Sequence, residues 1–370
     1  MRVLITGASG FIGRNIGVRL GELPGYPVVA FGREDSLDTL AERIAAADAV
    51  IHLAGVNRPK DPAEFEAGNA GFTVEVCRAI ERSGRPVPLI VASSTQAELN
   101  SPYGLSKRAA ERACEELASN TGNPVSIYRL PNVFGKWCRP NYNSVVATFC
   151  HNIANDLPIR IDDPSTELCL VHIDDVVSEF VAALSAPQKG LRWGSVAPEF
   201  RTTLGKLASQ IEAFRNCRSD LVIERVGAGL VRALYATYVS YLPTRKFAYG
   251  LPSHGDPRGV FVEMLKTLDS GQFSYFTAHP GVTRGGHYHH TKTEKFFVIK
   301  GSACFRFRHL MTGERYEIDV SGDQPTVVET IPGWTHDITN TGHDELIVML
   351  WANEIFDRAR PDTVASKVDA

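Results

Sequence analysis

The sequence lacks several features that would place the protein in a special class. No apolar run reaches the roughly 18 residues that a membrane-spanning helix needs, so no membrane partner is expected. The formal net charge of the 370-residue chain is only -3, which gives no reason to expect nucleic acid as a partner. Neither an internal repeat nor a low-complexity tract is present. We therefore expect a globular protein of two or three domains.

Cysteine pairs at redox or metal-binding spacing are also missing. The seven cysteines are scattered without a C-x-x-C pair, which predicts reduced core thiols in a cytoplasmic protein. The chain opens on a predicted strand, Val3–Ile5, rather than on a signal peptide. The most hydrophobic short segment, 226–242, contains Arg232 and several tyrosines and is predicted to be an amphipathic linker helix. Region 200–255 stays open between a substrate subdomain and a linker.

A glycine-rich turn follows the first strand directly, and an apolar helical pattern begins within it. Glycines at this spacing let the turn tighten, let a pyrophosphate approach the backbone, and let helix and strand pack closely. The pattern predicts a dinucleotide site in a Rossmann domain. The residues assigned to the cofactor here are Gly7, Gly10, Phe11, Ile12 and Gly13.

Arg33, which follows the second predicted strand (27–31) after Gly32, helps to indicate which cofactor binds. An NAD site usually has an acidic residue there to hold the ribose hydroxyls, whereas this chain has Arg33. A guanidinium suits a 2′-phosphate by charge and bidentate geometry, which favours NADPH. Glu34 and Asp35 follow at once, so a solvated surface arginine is the alternative.

Two further predicted strands lead to the carboxyl edge of the sheet, where open α/β sheets bind ligands. One ends in a turn of small residues beside the cofactor, and the other, 89–94, delivers hydroxyls to that edge. The cofactor residues assigned to the small-residue turn are Leu53, Ala54 and Gly55.

Tyr103 and Lys107 are four residues apart, so on a helix they share one face. An ammonium near a phenol lowers the pKa of the phenol, which suits proton exchange with a sugar oxygen near neutral pH. Both residues are therefore predicted to contact the cofactor and to take part in catalysis.

Together these motifs resemble the extended short-chain dehydrogenases, the class that acts on nucleotide sugars. The resemblance covers residues 1 to about 245 and implies a catalytic serine, tyrosine and lysine at Ser94, Tyr103 and Lys107. Ser93 and Thr95 are rivals for the serine. Only eight residues separate Ser94 from Tyr103, which argues against a dehydratase. By the same resemblance Asn132 contacts the substrate.

From about residue 255 the pattern changes to short alternating strands separated by Gly and Asp turns, which predicts a small antiparallel barrel or jelly roll. It contains G-x5-H-x-H-x4-E-x6-G from Gly281 to Gly301 and a second block around Pro332-Gly333. Three imidazoles and a carboxylate at these spacings form a metal-ligand set, for which zinc fits first and Mn, Fe or Ni also fit. The predicted ligands are His287, His289, Glu294 and His336.

The two blocks resemble the two cupin motifs. A second resemblance, to the sugar 3,5-epimerases, implies substrate contacts at Arg258 and Glu263 and makes His287 a catalytic base. Ligand and base therefore both stay open for His287. Lys292 is assigned to the substrate as a group that stabilises an enolate, with an exposed loop lysine as the alternative.

Over its full length the chain resembles the bifunctional capsular polysaccharide enzymes of the CapF/WbjC type. This implies an α/β Rossmann domain of the extended dehydrogenase type (1–245) followed by an all-β cupin (250–370). The implied homodimeric enzyme epimerises C3 of a UDP-2-acetamido-2,6-dideoxy-4-keto-hexose and reduces C4 with NADPH. The product is a UDP-6-deoxy-L-talosamine-type sugar on the route to UDP-N-acetyl-L-fucosamine for capsule or O-antigen. The alternative is a 4-reductase or 4-epimerase whose cupin only binds or dimerises.

Overall fold

The computed structural model of the protein describes residues 1–370 apart from 60, 62, 253, 257–258, 262–264, 268–270, 355–358 and 370. Its helices are α1 (Phe11–Glu22), α2 (Leu37–Ala46), α3 (Ala63–Phe65), α4 (Phe72–Arg82), α5 (Pro102–Thr121), α6 (Val145–Ala154), α7 (Ile173–Ser185), α8 (Leu204–Asp220) and α9 (Gly229–Val239). A π-helical turn, Glu66–Gly71, joins α3 to α4, and 3-10 turns cover Thr95–Glu98 and Thr244–Lys246.

The strands of the N-terminal half are β1 (Val3–Thr6), β2 (Val28–Phe31), β3 (Ala49–His52), β4 (Leu89–Ser94), β5 (Val125–Leu130), β6 (Asn132–Phe134), β7 (Glu167–His172), β8 (Leu191–Gly194) and β9 (Glu199–Thr203). Those that follow are β10 (Val222–Ile223), β11 (Ala248–Gly250), β12 (His254–Asp256), β13 (Gly259–Phe261), β14 (Lys266–Thr267), β15 (Gln272–Ala278), β16 (Thr283–Tyr288), β17 (Glu294–Lys300), β18 (Ser302–His309), β19 (Arg315–Ser321), β20 (Thr326–Glu329), β21 (Trp334–Asn340), β22 (Leu346–Ala352) and β23 (Val364–Ala365).

The chain separates into two compact units. One consists of Met1–Arg139 and Leu168–Arg201, and the other of Pro140–Glu167 and Thr202–Ala370. The division into a dehydrogenase-type domain (1–245) and a cupin (250–370) stays a prediction. No helix in the described part of the chain is long and apolar enough to cross a membrane.

The first unit is built on a parallel six-stranded sheet in the order β2-β1-β3-β4-β5-β8. Strands β1 and β3 are buried throughout, as expected for a parallel sheet covered on both faces. Alternate residues of β1 enter different cores, because Leu4 packs in one apolar cluster while Val3 and Ile5 pack in another. The predicted Rossmann-like parallel sheet is confirmed.

The strand order places the glycine-rich turn at the point where ligands bind such sheets. The chain leaves β1 for β2 on one side and returns to β3 on the other, so the order reverses between β1 and β3. Thr6 and His52 are aligned at the carboxyl ends of these two strands. The turns at Gly7 and Leu53 therefore begin next to each other.

The second unit contains two antiparallel five-stranded sheets, β11-β20-β17-β22-β15 and β19-β18-β21-β16-β23. Phe296 of the first sheet contacts Phe305 of the second, with ring centroids 5.5 Å apart, so the inner faces share an apolar core. The strands expected from the alternating pattern at 274–277, 295–299, 304–308, 315–320 and 346–351 all lie within these sheets. The strand expected at 260–266 includes residues 262–264, which lie outside the described residues. The predicted all-β C-terminal region is confirmed.

The helix predicted within 226–242 is confirmed, but its predicted amphipathic linker character is wrong. Helix α9 covers Gly229–Val239, and every residue from 233 to 239 is buried. Tyr235 contacts Phe214 of α8, with ring centroids 5.1 Å apart. Alanines and aromatic residues on all sides of a helix are typical of a core helix rather than of a linker.

Candidate active sites

The predicted tight turn after β1 is confirmed. Gly7 has φ +71°, and a Cβ there would lie 2.8 Å from the backbone nitrogen of Ala54. A Cβ on Gly13 would clash with the carbonyl oxygen of Gly7 and lie 2.7 Å from the Cα of Ala8. Only glycine lets α1 start this close to β1. The role of the turn in holding a pyrophosphate stays a prediction.

The residues on either side of this turn are held from the core. Phe11 and Ile12 are half-buried and pack against the cluster that contains Val3 and Ile5. Gly10 caps α1 and donates its N–H to the Gly7 carbonyl at 2.9 Å. These contacts fix the N-terminus of α1, whose free N–H groups and dipole favour a phosphate.

The small-residue turn after β3 lies beside Lys107. The hydroxyl of Thr6 accepts from the N–H groups of Leu53 and Ala54, both at 3.3 Å. A Cβ on Gly55 would lie 3.5 Å from the Lys107 Nζ and 2.8 Å from an oxygen of Asn69. Glycine at this position therefore leaves room for the Asn69 side chain, next to the lysine.

His52, at the end of β3, serves the structure rather than proton transfer. Its Nδ1 hydrogen bonds to Thr6 at 2.7 Å and its Nε2 to Thr73 at 2.8 Å. Burial, and to a smaller extent the charge of Lys107, lowers the pKa of His52 to about 3. The neutral ring thus ties β1 and β3 to α4.

Arg33 is exposed just past the end of β2. Asp35 is engaged elsewhere, because it accepts from the Gly32 N–H and from both guanidinium nitrogens of Arg43, each at 2.8 Å. The Gly32 N–H and Arg43 hold the pKa of Asp35 below its usual range. Asp35 is therefore occupied by these contacts, whereas Arg33 lies at the surface.

Helix α5 brings the predicted trio together. Ser101 caps it by accepting from the Gly104 N–H at 3.0 Å, and Pro102 opens it, so Tyr103 lies in the first turn. Ser94, the serine at the end of β4, lies close enough to Tyr103 to lower the pKa of its phenol. Ser93 instead donates to the buried Glu111 at 2.5 Å. Of these two serines, the geometry favours Ser94 for contact with the phenol.

The pKa of Tyr103 differs from expectation. Burial raises this pKa, and the neighbouring Ser94 opposes the rise. The predicted lowering by Lys107 is thus wrong for this structure, because desolvation outweighs the effect of neighbouring groups. Burial lowers the pKa of Lys107 to about 8, partly offset by Glu111, and its Nζ donates to the Ala92 carbonyl at 3.2 Å.

Glu111 was missed by the sequence reasoning. It lies four residues after Lys107, is 2% exposed, and accepts from Arg129 at 3.0 and 2.7 Å as well as from Ser93. This network joins α5 to β4 and β5 at Ser93, the residue that precedes Ser94. The i, i+4 spacing from Lys107 was the available signal.

Asn132 lies at the exposed start of β6, where its side-chain amide donates to the Cys169 carbonyl at 3.2 Å. Its contact with substrate stays a prediction. A cavity of about 630 Å³ in the second unit is lined by residues of α8 and α9 such as Lys206, Gln210 and Leu234. It includes none of the predicted site residues.

The four predicted metal ligands converge. One donor atom from each lies within 4.8 Å of the others. Their sequence separation is overcome by strand pairing, because β16 and β21 align His287 with His336, while β17 begins at Glu294. A bulge between Gly285 and His287 re-aims the latter. The four groups that could hold a metal ion are His287, His289, Glu294 and His336.

The chemistry of these four groups fits a divalent cation. His289 Nε2 and His336 Nε2 lie 3.1 and 3.6 Å from the same Glu294 oxygen. Both ring nitrogens of His336 are buried without a hydrogen-bond partner in the described part of the chain. Burial lowers the pKa of His336, and burial followed by the two other histidines lowers that of His287 to about 3. Burial disfavours the ionised form of Glu294, but His289 and His336 hold its pKa well below its usual range.

Lys292 is 7% exposed, so the alternative of an exposed loop lysine is wrong. Its Nζ lies 3.6 Å from Glu294 and donates to the Thr363 hydroxyl at 2.9 Å. The loop that contains it folds over Asp362, a residue that no sequence signal indicated. Arg258 and Glu263 lie outside the described residues, so their predicted substrate contacts are not located.

Comparison with known proteins relates both halves to known families. Residues 3–195 match the NAD dependent epimerase/dehydratase family, and residues 254–364 match the polysaccharide biosynthesis C-terminal domain. The chain is 57% identical over 368 residues to a Pseudomonas aeruginosa protein named UDP-2-acetamido-2,6-beta-L-arabino-hexul-4-ose reductase. That alignment covers 100% of this chain and 99% of the relative.

Solved structures agree with these matches. The capsular polysaccharide assembling protein CapF from Staphylococcus aureus is 40% identical, with 100% of each chain covered and a TM-score of 0.68. A UDP-glucuronic acid 4-epimerase from Bacillus cereus, solved in complex with NAD, is 21% identical over 57% of this chain and 83% of that chain. Its TM-score of 0.52 shows a shared fold alone. The chain therefore belongs to the NAD dependent epimerase/dehydratase family and is CapF-like over its full length.

Proposed function

We propose that the protein is a bifunctional nucleotide-sugar enzyme. The first unit reduces C4 of a UDP-2-acetamido-2,6-dideoxy-4-keto-hexose with NADPH, and a C-terminal cupin epimerises C3. The product is a UDP-6-deoxy-L-talosamine-type sugar for UDP-N-acetyl-L-fucosamine synthesis. The observation that carries the proposal is the approach of Ser94 to Tyr103, on the helix that also carries Lys107, in a chain 57% identical to a 4-ketose reductase.

Reduction of a ketone needs a hydride at carbon and a proton at oxygen. The nicotinamide supplies the hydride when bound. Tyr103 gives the proton to the C4 oxygen, and Ser94 orients that oxygen by a hydrogen bond. Lys107, whose Nζ lies beside the turn at Gly55, holds the ribose of the cofactor. The ketone becomes an alcohol, and Tyr103 regains its proton from solvent.

The preference for NADPH is part of this proposal. Asp35 is occupied by Arg43, while Arg33 is exposed past β2, where a 2′-phosphate approaches in Rossmann folds. We expect Arg33→Ala to raise the KM for NADPH by about tenfold, since a charged hydrogen bond is worth about 1.5–3 kcal/mol. The KM for NADH should change little. An equal effect on both cofactors would contradict the assignment.

The C-terminal half of the proposal concerns the proton at C3. A ketone at C4 acidifies this proton, so a base removes it and a proton returns on the other face. A divalent metal, with zinc as the first choice, polarises the ketone when bound. We propose His287, His289, Glu294 and His336 as its ligands because their donor atoms converge, and we propose that Lys292 stabilises negative charge on the enolate.

Other features follow from the likeness to CapF. We propose a cytoplasmic homodimer that acts in capsule or O-antigen synthesis. Its substrate is a UDP-sugar, and it has neither nucleic acid nor a membrane as a partner. Light scattering tests the dimer, which should give twice the 40.5 kDa mass of the chain. A mass of one chain at micromolar concentration would contradict it.

The test of both activities uses purified protein, NADPH and the UDP-4-keto-6-deoxy-N-acetylhexosamine in heavy water. A reduced product that carries one non-exchangeable deuterium on carbon supports both activities. Tyr103→Phe should abolish reduction while retaining carbon exchange. His287→Asn should abolish exchange while retaining reduction of a substrate that is already epimerised.

A second candidate is a reductase whose cupin only binds or dimerises. It is favoured by the name of the Pseudomonas aeruginosa relative, which specifies a reductase and no epimerase. Reduction without carbon-bound deuterium would support it and overturn the epimerase half. Tightly bound oxidised cofactor without net NADPH consumption would instead indicate a 4-epimerase.

A further inference from the structure

The loop between two predicted metal ligands is held by one carboxylate from the end of the chain. Asp362 accepts from the N–H groups of His290, Thr291 and Lys292 at 2.8, 2.6 and 2.7 Å, and from the Thr291 hydroxyl at 3.1 Å. Three consecutive N–H groups that point at one carboxylate define the backbone of the loop. The path from His289 to Glu294 is therefore set by a residue about 70 positions away.

The backbone of Asp362 also acts on a ligand directly. Its carbonyl oxygen hydrogen bonds to Nδ1 of His289. A carbonyl only accepts, so Nδ1 carries the proton and Nε2 presents its lone pair toward Glu294, 3.1 Å away. Two acceptors at that distance are satisfied by a cation between them. Asp362 thus selects the tautomer of His289 that is able to bind a metal.

The segment that carries Asp362 runs along the strand that carries His287. Strand β23 pairs with β16, with Ala365 opposite His287 and Val364 opposite Tyr288. The Ser366 N–H donates to the Gly286 carbonyl at 2.9 Å, next to the bulge. These contacts place the segment against β16, which carries His287, and the Asp362 contacts place it against the loop from His289 to Glu294.

Two arginines of β18 tie the far end of the same segment. Arg308 donates to the carbonyls of Val368 and Lys367 at 3.1 and 2.8 Å, and Arg306 donates to Asp369 at 2.9 Å. β18 pairs with β21, the strand of His336. The segment is therefore anchored to the sheet that holds two of the four predicted ligands.

We propose that residues 362–369 form a clamp that shapes the metal site, with Asp362 as the positioning residue that holds the ligand loop and orients His289. The proposal rests on the metal site of the proposed function. The clamp goes beyond the proposed function, because it assigns metal retention to a segment that contributes no ligand. A clamp of this kind slows release of the metal as well as improving the geometry of its ligands.

The test measures zinc affinity of the full-length protein by competition with a chromophoric chelator. We expect Asp362→Asn to weaken zinc binding by about 10–100-fold, the usual range for groups that support metal ligands. The matched control is Asp323→Asn, an exposed aspartate in the turn between β19 and β20 of the same unit, outside the proposed clamp. It should change the affinity by less than about twofold.

A purely structural role for Asp362 has a different signature. It would lower the melting temperatures of the zinc-free and zinc-bound proteins equally and leave the zinc affinity unchanged. Under the proposal, the rise in melting temperature on adding zinc becomes smaller in Asp362→Asn. Arg308→Gln provides a second variant that loosens the anchor without touching the loop, and it should speed zinc release to the chelator.

Failure of the clamp and failure of the metal site are distinguishable. His336→Ala should abolish tight zinc binding. If wild type and His336→Ala bind zinc equally weakly, the metal site itself is wrong and the clamp is overturned with it. If His336→Ala loses zinc while Asp362→Asn and Arg308→Gln match wild type in affinity and release rate, only the clamp is overturned.

Discussion

At the residue scale, buried polar groups hold the catalytic edge of the first unit together. Glu111 accepts from Ser93 and Arg129, and His52 bridges Thr6 to Thr73. Neither residue needs to touch the substrate for the site to depend on it. Each ties a strand that ends at the site to a neighbouring element, and each makes a distinct prediction.

Loss of the Glu111 carboxylate should destabilise the first unit. Glu111→Ala leaves Arg129 and Ser93 without their buried acceptor, and breaking a buried ion pair costs about 3–5 kcal/mol. We expect the lower end, about 3 kcal/mol, because the Arg129 side chain is 32% exposed and also contacts Glu98. Thermal unfolding measures the change. The exposed Glu116 of the same helix provides the control, since Glu116→Ala should stay within about 0.5 kcal/mol.

The buried His52 should make stability depend on pH. Its ordinary pKa of 6.5 falls to about 3 in the folded chain, so below pH 6.5 the unfolded state takes up a proton that the folded state refuses. This contribution is fully present above pH 6.5 and is lost as the pH falls, by about 2 kcal/mol between pH 7 and pH 5. The unfolding free energy of His52→Gln should lack this component. Parallel pH profiles for the two proteins would refute the assignment.

At the element scale, α1 contains two glycines in opposite environments, one too crowded for a side chain and one with open space around it. Gly13 faces β1 so closely that a Cβ would clash with the Gly7 carbonyl, whereas a Cβ on Gly17 would meet nothing within 4 Å. Both residues lie inside the same helix, Phe11–Glu22. Packing therefore decides the sign of an alanine substitution at each position.

This contrast gives a paired prediction. Gly13→Ala should push α1 away from the turn, lower the melting temperature and weaken NADPH binding at least about tenfold, because the phosphate approaches this helix end. Gly17→Ala should raise stability by about 0.5–1 kcal/mol, since alanine loses less backbone entropy in a helix. Calorimetry and cofactor fluorescence give the two readouts. Equal responses of the two variants would show that the close approach at Gly13 does not matter.

At the scale of the whole molecule, each unit has its own core and its own predicted ligand. The parallel sheet of the first unit is packed on both faces, and the antiparallel sheets of the second share an aromatic core. A ligand stabilises the structure that it binds by mass action. The two ligands should therefore report on different unfolding transitions.

We expect calorimetry to show two transitions that respond separately. NADPH should raise the melting temperature of one, and zinc that of the other, because each site is built within a single unit. A strong chelator should lower only the transition that zinc raises. His336→Ala should remove the response to zinc and to chelator and leave the response to NADPH. One transition that shifts with both ligands would contradict this independence.

Much of this organisation could be predicted from the sequence, because it depends on local patterns. The glycine turn, the helix with Tyr103 and Lys107, and the alternating strands after 270 are each set by residues within about ten positions of one another. The four metal-ligand candidates were also recognisable, since His287, His289 and Glu294 are near neighbours and His336 stands in a second motif. Steric limits and the periodicity of helices and strands involve residues that are close in the chain, so these features can be predicted from the sequence.

What the tertiary structure decided depends on burial and on partners distant in the chain. Desolvation raises the pKa of Tyr103, although the nearby Lys107 led us to predict a lower value. Residues 233–239 of α9 are buried in a core, although a linker was expected there. Glu111 and Asp362 gain their roles from groups 18 and about 70 residues away. The sequence by itself determined which residues were able to form the two sites. Only the fold decided which of them lose water and meet, because desolvation and long-range contacts exist only once the chain has packed.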